Sequence, residues 1–536
     1  MGEQHGVPAS EVWGKEIGTE EIRGIPFRTY TERPRDIAGV LAFADRWGDR
    51  PHIVQGDTVV TFAGLRRAVD AKAVQLRARG LGQGDRVLLL GFNSPEWIIN
   101  FWACVSAKAV PVLGNAWWGP AELADSIALL KPSLVLADSR AARSLPDDIT
   151  VGPWACEISD GGGTEPDPRL ADAHDEDDPA AFVFTSGTSG KPKAVVLSHR
   201  SLLAGLHMLL HITRRLPQQV DEATGDAGLH TGPMFHIGGI QTLIRAVTVG
   251  DTLVMPAGKF DPAEALRLIE QWRVVRWSAV PTMVSRVLEH PEVHRRDLTS
   301  LRSLTVGGAP VHSEFLAQLR AGLPGIEPRV ATGYGLTENG GQATAASGKD
   351  TTERPGSSGR PLPCVELKIL DPTEHQDGEI LIRCATQMIG YFGVDDSPID
   401  DGGWLHTGDL GHLDEENYLW ITGRAKDMII RGGENIAPAA VEEALAGIGG
   451  VVESAVFGVP HPDLGEEVMA VVVVENGVTA NDLARELRSR LASFAVPTRW
   501  RIEQEPLRTT HSGKIDKKEL ATEARSELAA TTGDAA

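Results

Sequence analysis

Cysteine is scarce. The 536 residues hold four, at positions 104, 156, 364 and 384. None stands close enough to another to make a CxxC pair, which excludes that kind of metal or dithiol centre and reads as a reduced, cytoplasmic compartment. Cations are also in deficit. Lys plus Arg is 52 against 73 Asp plus Glu, a formal net charge of −21. Nucleic acids and anionic membrane surfaces are held by clustered cations, so neither is expected as the main partner. No basic stretch followed by an apolar run opens the chain, so no signal peptide is expected. Gly6 stands where an N-myristoylation signal wants Ser or Thr. The apolar stretches, such as 87–90, fall far short of the roughly 18 residues that span a bilayer, so no integral membrane segment is expected. What is present is ordinary: 42% hydrophobic and 23% charged residues. That suffices for a sizeable core, and the length suggests three to four packing units at about 150 residues each.

From Pro51 the chain alternates between strand and helix patterns. Residues 53–61 read as a hairpin around Gly56-Asp57, a pair suited to a type I′ turn. Residues 63–80 carry Leu65, Val69, Ala73 and Leu76 at helical spacing. Ser94-Pro95-Glu96 combines an oxygen cap, a first-turn proline and an acid near the helix dipole. Apolar segments at 86–90, 109–113 and 134–137, with a helix starting at Pro120, continue the rhythm of a parallel, helix-covered sheet. Residues 1–24 read as a loosely held arm, and 160–179, rich in Gly and Asp, as a surface connector. Alternation resumes at Phe182 and runs to about 421. After Arg424 come short strands (454–459, 468–474) and a helix at 481–492, a small α+β unit.

One loop concentrates phosphate chemistry. The apolar strand at 182–184 runs into Thr185, Ser186, Gly187, Thr188, Ser189, Gly190, Lys191, Pro192 and Lys193. Glycines let backbone N–H groups approach phosphate oxygens, hydroxyls donate, and lysines supply charge. The spacing differs from the Walker pattern, because two residues separate Gly187 from Gly190 and no Ser or Thr follows Lys191. His207 and His211 sit four apart on a helix, but Met208 stands where a zinc protease would have Glu, so they read as ordinary helix residues. Gly80-Leu81-Gly82-Gln83-Gly84 precedes a strand instead of following one, which does not support a dinucleotide fold.

Further motifs follow in order: Pro233-Met234-Phe235-His236, Val306-Gly307-Gly308-Ala309-Pro310, Tyr334-Gly335-Leu336-Thr337-Glu338, Thr407-Gly408-Asp409, Gly423-Arg424-Ala425-Lys426-Asp427, Gly432-Gly433-Glu434-Asn435 and Ser512-Gly513-Lys514. With the loop at 185–193, this ordered set resembles the acyl-adenylate-forming enzymes, over nearly the whole chain. That family includes acyl-CoA synthetases, peptide-synthetase adenylation domains and firefly luciferase. The resemblance implies an α/β fold: a large N-terminal body, 1–424, with parallel sheets and subdomains at roughly 25–180 and 181–424. A small C-terminal α+β lid, 425–525, would be joined to it by a hinge at Lys426, and 526–536 would be a disordered tail. It also implies a reaction in which ATP converts a carboxylic acid to an acyl-adenylate, releasing pyrophosphate, before a thiol accepts the acyl group.

The same resemblance assigns roles. Glu338, with Thr185, would hold Mg²⁺, since hard cations choose oxygen ligands. Thr337 would meet the α-phosphate and Tyr334, beside Gly335, the adenine. Gly308, Ala309 and Pro310 would line the base, and Asp409 would accept the ribose hydroxyls. Arg424 would fork onto ribose and phosphate oxygens, Lys514 would act as the catalytic lysine, and His236 would gate the acyl pocket. After rotation about Lys426, Gly432 and Gly433 would leave room for the pantetheine arm of CoA. Arg508 and Thr509 depart from the family, which usually has Pro and a basic residue there.

Among the branches, the intact 432–435 motif favours a CoA ligase. A carrier-loading acyl-AMP ligase would need room for an insertion after Glu338, yet only 75 residues separate Tyr334 from Asp409. No amino-group aspartate near Phe235 supports a peptide-synthetase domain, and nothing points to the oxygenase branch. An inactive adenylate-binding scaffold is disfavoured by Lys191, Glu338 and Lys514. Phe235, Ile237, Ile240, Leu243 and Val306 suit a medium or long hydrophobic acid, with aryl and steroid-side-chain acids as alternatives. Oligomeric state is not encoded readably, and a homodimer is compatible with the sequence. The net charge of −21 then hides local cations. Lys191, Lys193, Arg424, Lys426, Arg431 and Lys514 are expected to converge on the cleft between the two domains.

Overall fold

The computed structural model describes residues 13–158, 174–186, 192–221, 225–307, 313–323, 330–372, 377–431, 434–461, 464–475, 477–510 and 513–533. Among them, two large sheets of seven and nine strands form the body. Strand alternation explains how they stack. Val87, Leu89, Leu113, Val183, Val195 and Leu197 of the seven-stranded sheet face one core, while Leu88, Leu90, Val112, Phe182, Phe184 and Val196 face another. In the nine-stranded sheet Ile53, Leu253 and Met255 join the first of these cores, while Val54, Leu229, Val254 and Leu304 face a third. The shared core is filled by the helices Phe62–Ala78, Pro95–Ser106, His199–Ile212 and Ile237–Val249. Both sheets are therefore buried on two faces, which is why their strands read as near-continuous apolar runs.

The sheets do not divide the chain at 180/181. Strand Pro179–Ser186 pairs in parallel with Val110–Gly114, whereas the early hairpin Pro51–Gln55 and Thr58–Thr61 joins the nine-stranded sheet beside Thr252–Met255. Crossover connections let a strand join whichever sheet edge is open, so chain order does not set the boundary. In that hairpin Gly56 has φ +58°, and Asp57 is absent from the residues with positive φ. A single positive φ fits a type II′ turn, because type I′ requires both central residues there.

Residues 13–24 are packed, not loose. Trp13 is fully buried, and Ile17–Ile22 pairs antiparallel with Ile25–Tyr30. The two helix histidines fasten this hairpin: the His207 ring stacks on Tyr30 at 3.8 Å and donates to the Gly14 carbonyl, and His211 Nδ1 bonds the Tyr30 hydroxyl. The far end of the 160–179 connector is held as well, since Glu176 is buried between Arg33, Arg35 and Arg200. Its residues 160–173 lie outside the described ones, as do 1–12.

A four-stranded sheet ends in Leu419–Arg424, and only the short turn Ala425–Asp427 and Met428 separate it from Ile429–Arg431, the first strand of the C-terminal unit. That unit builds a sheet around the long pair Val451–His461 and Gly465–Val474, with Arg499–Glu503 parallel to the latter. Its last helix, Lys517–Gly533, continues well past 526, where the sequence suggested an unstructured tail. Ala and Glu are strong helix formers, and Leu520, Ala521 and Ala524 bury its inner side against the sheet. No helix among the described residues is long and apolar enough to cross a membrane.

Candidate active site

Two described strands flank the phosphate-loop sequence. Strands Pro179–Ser186 and Pro192–Ser198 pair antiparallel with Lys193 opposite Thr185. Gly187, Thr188, Ser189, Gly190 and Lys191 lie outside the described residues, as does the side chain of Ser186. The described stem already bears on the site, because Thr185 Oγ1 donates to Glu338 Oε1 at 3.4 Å. Glu338 stands on the one-turn helix Thr337–Asn339 beside the half-buried Thr337. Tyr391, which sequence reasoning missed, donates to the same Oε1 at 2.9 Å. The Lys193 ammonium lies 4.5 Å from the centre of the Tyr391 ring.

A magnesium ion fits this carboxylate in one particular way. No group of three or more His, Cys, Asp or Glu among the described residues forms a metal cage. Mg²⁺ is commonly held by one or two carboxylates together with substrate phosphates. Among the described residues the side-chain hydrogen bonds to Glu338 fall on Oε1, which leaves Oε2 as the oxygen to offer a cation.

The second group gathers at Asp409, on the strand Leu405–Leu413. It is 3% exposed; Oδ2 accepts from the Tyr334 hydroxyl at 2.6 Å, and Oδ1 pairs with Arg424 Nε at 2.6 Å. Arg424 is directly opposite Asp409 in the neighbouring strand. Tyr334 was expected to present its ring to adenine, but it is only 8% exposed, with its hydroxyl bonded to Asp409. Burial first, and the Asp409 charge second, hold its phenol well above its ordinary pKa, so it stays a donor. Gly335 can carry no side chain, since a Cβ there would meet the Gly341 carbonyl oxygen at 2.2 Å. Gly308, Ala309 and Pro310 lie outside the described residues.

These contacts bear on stability. Asp409→Ala leaves the buried Tyr334 hydroxyl unsatisfied, a cost of about 1–3 kcal/mol. Arg424→Ala removes a half-exposed side chain but strips the buried Asp409 carboxylate of its cation. Thermal unfolding should therefore show a clear drop for both variants, and ATP binding should weaken in both.

The third element comes from the C-terminal unit. Thr510, Gly513 and Lys514 form a tight turn in which Gly513 N–H donates to Thr510 at 2.9 Å and the Thr510 N–H to Lys514 at 2.6 Å. The turn docks on the body: Thr282, in the first turn of helix Pro281–Glu289, donates to the Gly513 carbonyl at 2.7 Å. Gly513 has φ +82°, and a Cβ there would stand 3.0 Å from Val280. This contact places Lys514 in the cleft. The residue as a whole is exposed, yet the surrounding walls desolvate its ammonium, and this first, with Arg424 second, lowers its pKa. Lys514 in turn acts on His236. Burial first, and the Lys514 charge second, push the imidazole down to about 4. His236 should thus stay neutral above pH 5.5, and the pH profile of adenylation should carry no ionisation near 6.5 that His236→Gln abolishes. Finding one would overturn this assignment.

His236 opens the helix Ile237–Val249 and packs against Phe235, with ring centres 4.7 Å apart. Phe235 meets Trp117 at 5.3 Å, and Trp117 meets Phe92 at 5.5 Å. A series of aromatic contacts thus begins at His236 and continues through Phe235 and Trp117 to Phe92. A separate cavity, lined by Ile22, Phe27, Met388 and Ile399 among others, lies beside the N-terminal hairpin and includes none of these site residues.

The expected convergence of cations is only partly met. Arg424 and Lys514 come together, and Lys193 joins the Glu338 group. Arg431 instead donates to the Phe494 carbonyl within its own unit, and Lys426 is exposed on the connecting turn. Arg508 pairs with Glu519 and Glu523 of the last helix. Lys191, Gly432, Gly433 and Ser512 lie outside the described residues.

A hairpin stem bearing Thr185 and Lys193, a buried carboxylate paired with arginine and a lysine docked from a second unit suit an α/β nucleotide-using ligase. Comparison with known proteins agrees. The family model described as AMP-binding enzyme matches residues 41–392, and that described as AMP-binding enzyme C-terminal domain matches 440–514. A feruloyl-CoA synthase of an Amycolatopsis species is 34% identical over 489 residues, covering 88% of this chain and 96% of its own. A long-chain-fatty-acid–CoA ligase of Mycobacterium tuberculosis is 32% identical over 497 residues, covering 89% and 94%. The solved o-succinylbenzoate CoA synthetase of Bacillus subtilis, in complex with its acyl-adenylate intermediate, superposes with a TM-score of 0.73 at 28% identity, over 90% of this chain and 97% of that one. The chain belongs to the AMP-binding enzyme family, and it is an AMP-forming acid–thiol ligase.

Proposed function

We propose that this protein is an acyl-CoA synthetase acting on a hydrophobic carboxylic acid with ATP, Mg²⁺ and CoA. The observation that carries the reading is the docked turn at Gly513, which brings Lys514 from one structural unit beside Arg424 and His236 of the other.

In the first step a carboxylate oxygen bonds to the α-phosphorus of ATP, and the bond from that phosphorus to the bridging oxygen breaks, releasing pyrophosphate. Two anions must meet, so positive charge fixed in advance lowers the barrier most. Lys514 supplies it between carboxylate and α-phosphate, and Thr337 donates a hydroxyl to the same phosphate. Lys193 and the loop at 185–191 hold the outer phosphates. Asp409 and Arg424 orient the ribose. Bound Mg²⁺, held through Glu338 with Thr185 alongside, would neutralise phosphate charge. His236, neutral at working pH, closes the acyl pocket without adding a charge next to Lys514. In the second step the CoA sulfur, having lost its proton, attacks the acyl carbon, and AMP departs.

Lys514 has no role in that second step. The short connection at 424–428 suits a rotation of the C-terminal unit that withdraws Lys514 and presents the 432–435 segment, whose paired glycines would admit a pantetheine arm. The aromatic series of Phe235, Trp117 and Phe92 supports an apolar acid. The free cysteines, three of them buried, support a reducing cytoplasmic setting.

Pyrophosphate release measured across fatty, aryl and steroid-side-chain acids, each with and without CoA, tests the proposal. CoA-stimulated turnover with an apolar acid is expected. Turnover that responds only to an acyl-carrier protein would replace CoA with a carrier, and turnover only with amino acids would overturn the reading.

A further inference from the structure

Glu338 is held by more than its own backbone turn. Segment 388–392 ties it to the phosphate hairpin: Met388 N–H donates to the Glu338 carbonyl, Ile389 N–H to Val196 and Phe392 N–H to Ala194, all within 2.8–2.9 Å. Tyr391 thereby lies directly opposite Val195 at the edge of the seven-stranded sheet. From there its hydroxyl reaches Glu338 Oε1 at 2.9 Å, while its ring lies beneath the Lys193 ammonium. Lys193 is the cross-strand partner of Thr185, whose hydroxyl returns to Glu338 Oε1. Three side-chain contacts and one cross-strand pairing thus link the four residues.

We propose that Tyr391 is a positioning residue for nucleotide-bound metal, its hydroxyl orienting Glu338 so that Oε2 faces the cation and its ring holding Lys193 toward the phosphates. A carboxylate on a single helical turn can rotate about its side-chain bonds. A donor fixed to a sheet edge removes that freedom before the cation arrives, so less is lost on binding. The phenol suits the task chemically. A phenol hydroxyl is a single donor held on a rigid ring, so it fixes one carboxylate oxygen without adding charge. A phenylalanine here would preserve the packing and the cation–π contact but not the orientation, which separates the two roles experimentally.

This inference rests on the proposed role of Glu338 as metal ligand, and the experiment separates the two. Mn²⁺ serves as a spectroscopic probe in place of Mg²⁺, with ATP and without acid or CoA, so no turnover is involved. Tyr391→Phe should weaken Mn²⁺ binding to the ATP-loaded protein about 10-fold. Metal-free ATP affinity and the thermal midpoint of the unliganded protein should remain near the parent values. Tyr391→Leu, which also removes the ring, should additionally weaken metal-free ATP binding. In steady state, Tyr391→Phe should raise the Mg²⁺ half-saturation concentration more than it lowers kcat at saturating Mg²⁺. Unchanged Mn²⁺ affinity in Tyr391→Phe, with weakened affinity in Glu338→Gln, would overturn the positioning role and leave Glu338 as ligand. Unchanged affinity in Glu338→Gln itself would overturn the ligand reading beneath it. A lowered thermal midpoint with unaltered metal affinity would show a purely structural tyrosine.

Discussion

Lys514→Ala should lower acyl-adenylate formation by about 10²–10³-fold, the usual loss when one preorganised group facing developing charge is removed. The same variant should still convert a supplied acyl-adenylate and CoA to thioester at nearly the parent rate, because the proposed mechanism uses the lysine in the first step only. The Gly513–Thr282 contact makes this specific: it places Lys514 in the cleft through one docked turn, in an arrangement suited to the first step. A pH effect accompanies it. Desolvation in the cleft and the Arg424 charge lower the Lys514 pKa from the ordinary lysine value of 10.5. A lowered lysine pKa means the ammonium is complete at low pH and lost earlier on the alkaline side. Adenylation should therefore decline as pH rises through a value below 10.5, and the thioester step should not share that limb. Equal loss of both half-reactions in Lys514→Ala would contradict the alternation of the two units.

Glu338→Ala should reduce MgATP-dependent adenylation roughly 10²-fold, again the scale of one lost electrostatic group at the reacting centre. Raising Mg²⁺ should recover part of the activity, because the substrate phosphates still offer oxygen ligands. The variant also frees Tyr391 and Thr185, both of which now donate to the lost carboxylate. Metal-free ATP binding should change much less than MgATP binding. An unaltered Mg²⁺ dependence would place the cation elsewhere.

Local chemistry made much of the fold readable. The Ser94 cap bonds the Trp97 N–H, helix Phe62–Ala78 buries Leu65, Val69, Ala73 and Leu76, and the strands at 86–90 and 134–137 stand where their apolar runs lie. The features that escaped depend on distant partners. The N-terminal arm is polar in composition, and long-range contacts such as Tyr30 against His207, with Trp13 buried, turn it into a packed hairpin. Arg431 has the charge expected of a cleft residue, but the backbone carbonyl of Phe494, sixty-three positions away, takes its donor. The alanine-rich C-terminus reads as low complexity, although its helix buries Leu520, Ala521 and Ala524.

The site divides in the same way. The motifs supplied Thr185, Lys193, Glu338, Asp409, Arg424 and Lys514, each drawn from a compact run with chemical character. Tyr391 lies in an apolar stretch, Met388 to Phe392, that reads as one more buried strand. Its meaning comes from antiparallel pairing across nearly two hundred residues, which no local pattern carries. Within the sequence, the only signal for it is a phenol among residues that otherwise offer no polar side chain.

Activation through AMP precedes transfer of the acid to a thiol. A single-turnover reaction with α-labelled ATP, Mg²⁺ and an accepted acid, run first without CoA, tests it most directly. Label should appear in an enzyme-bound acyl-adenylate with pyrophosphate released, and adding CoA should convert the label to AMP as the thioester forms. Label recovered as ADP, with phosphate released and no adenylate before CoA is added, would contradict activation through AMP.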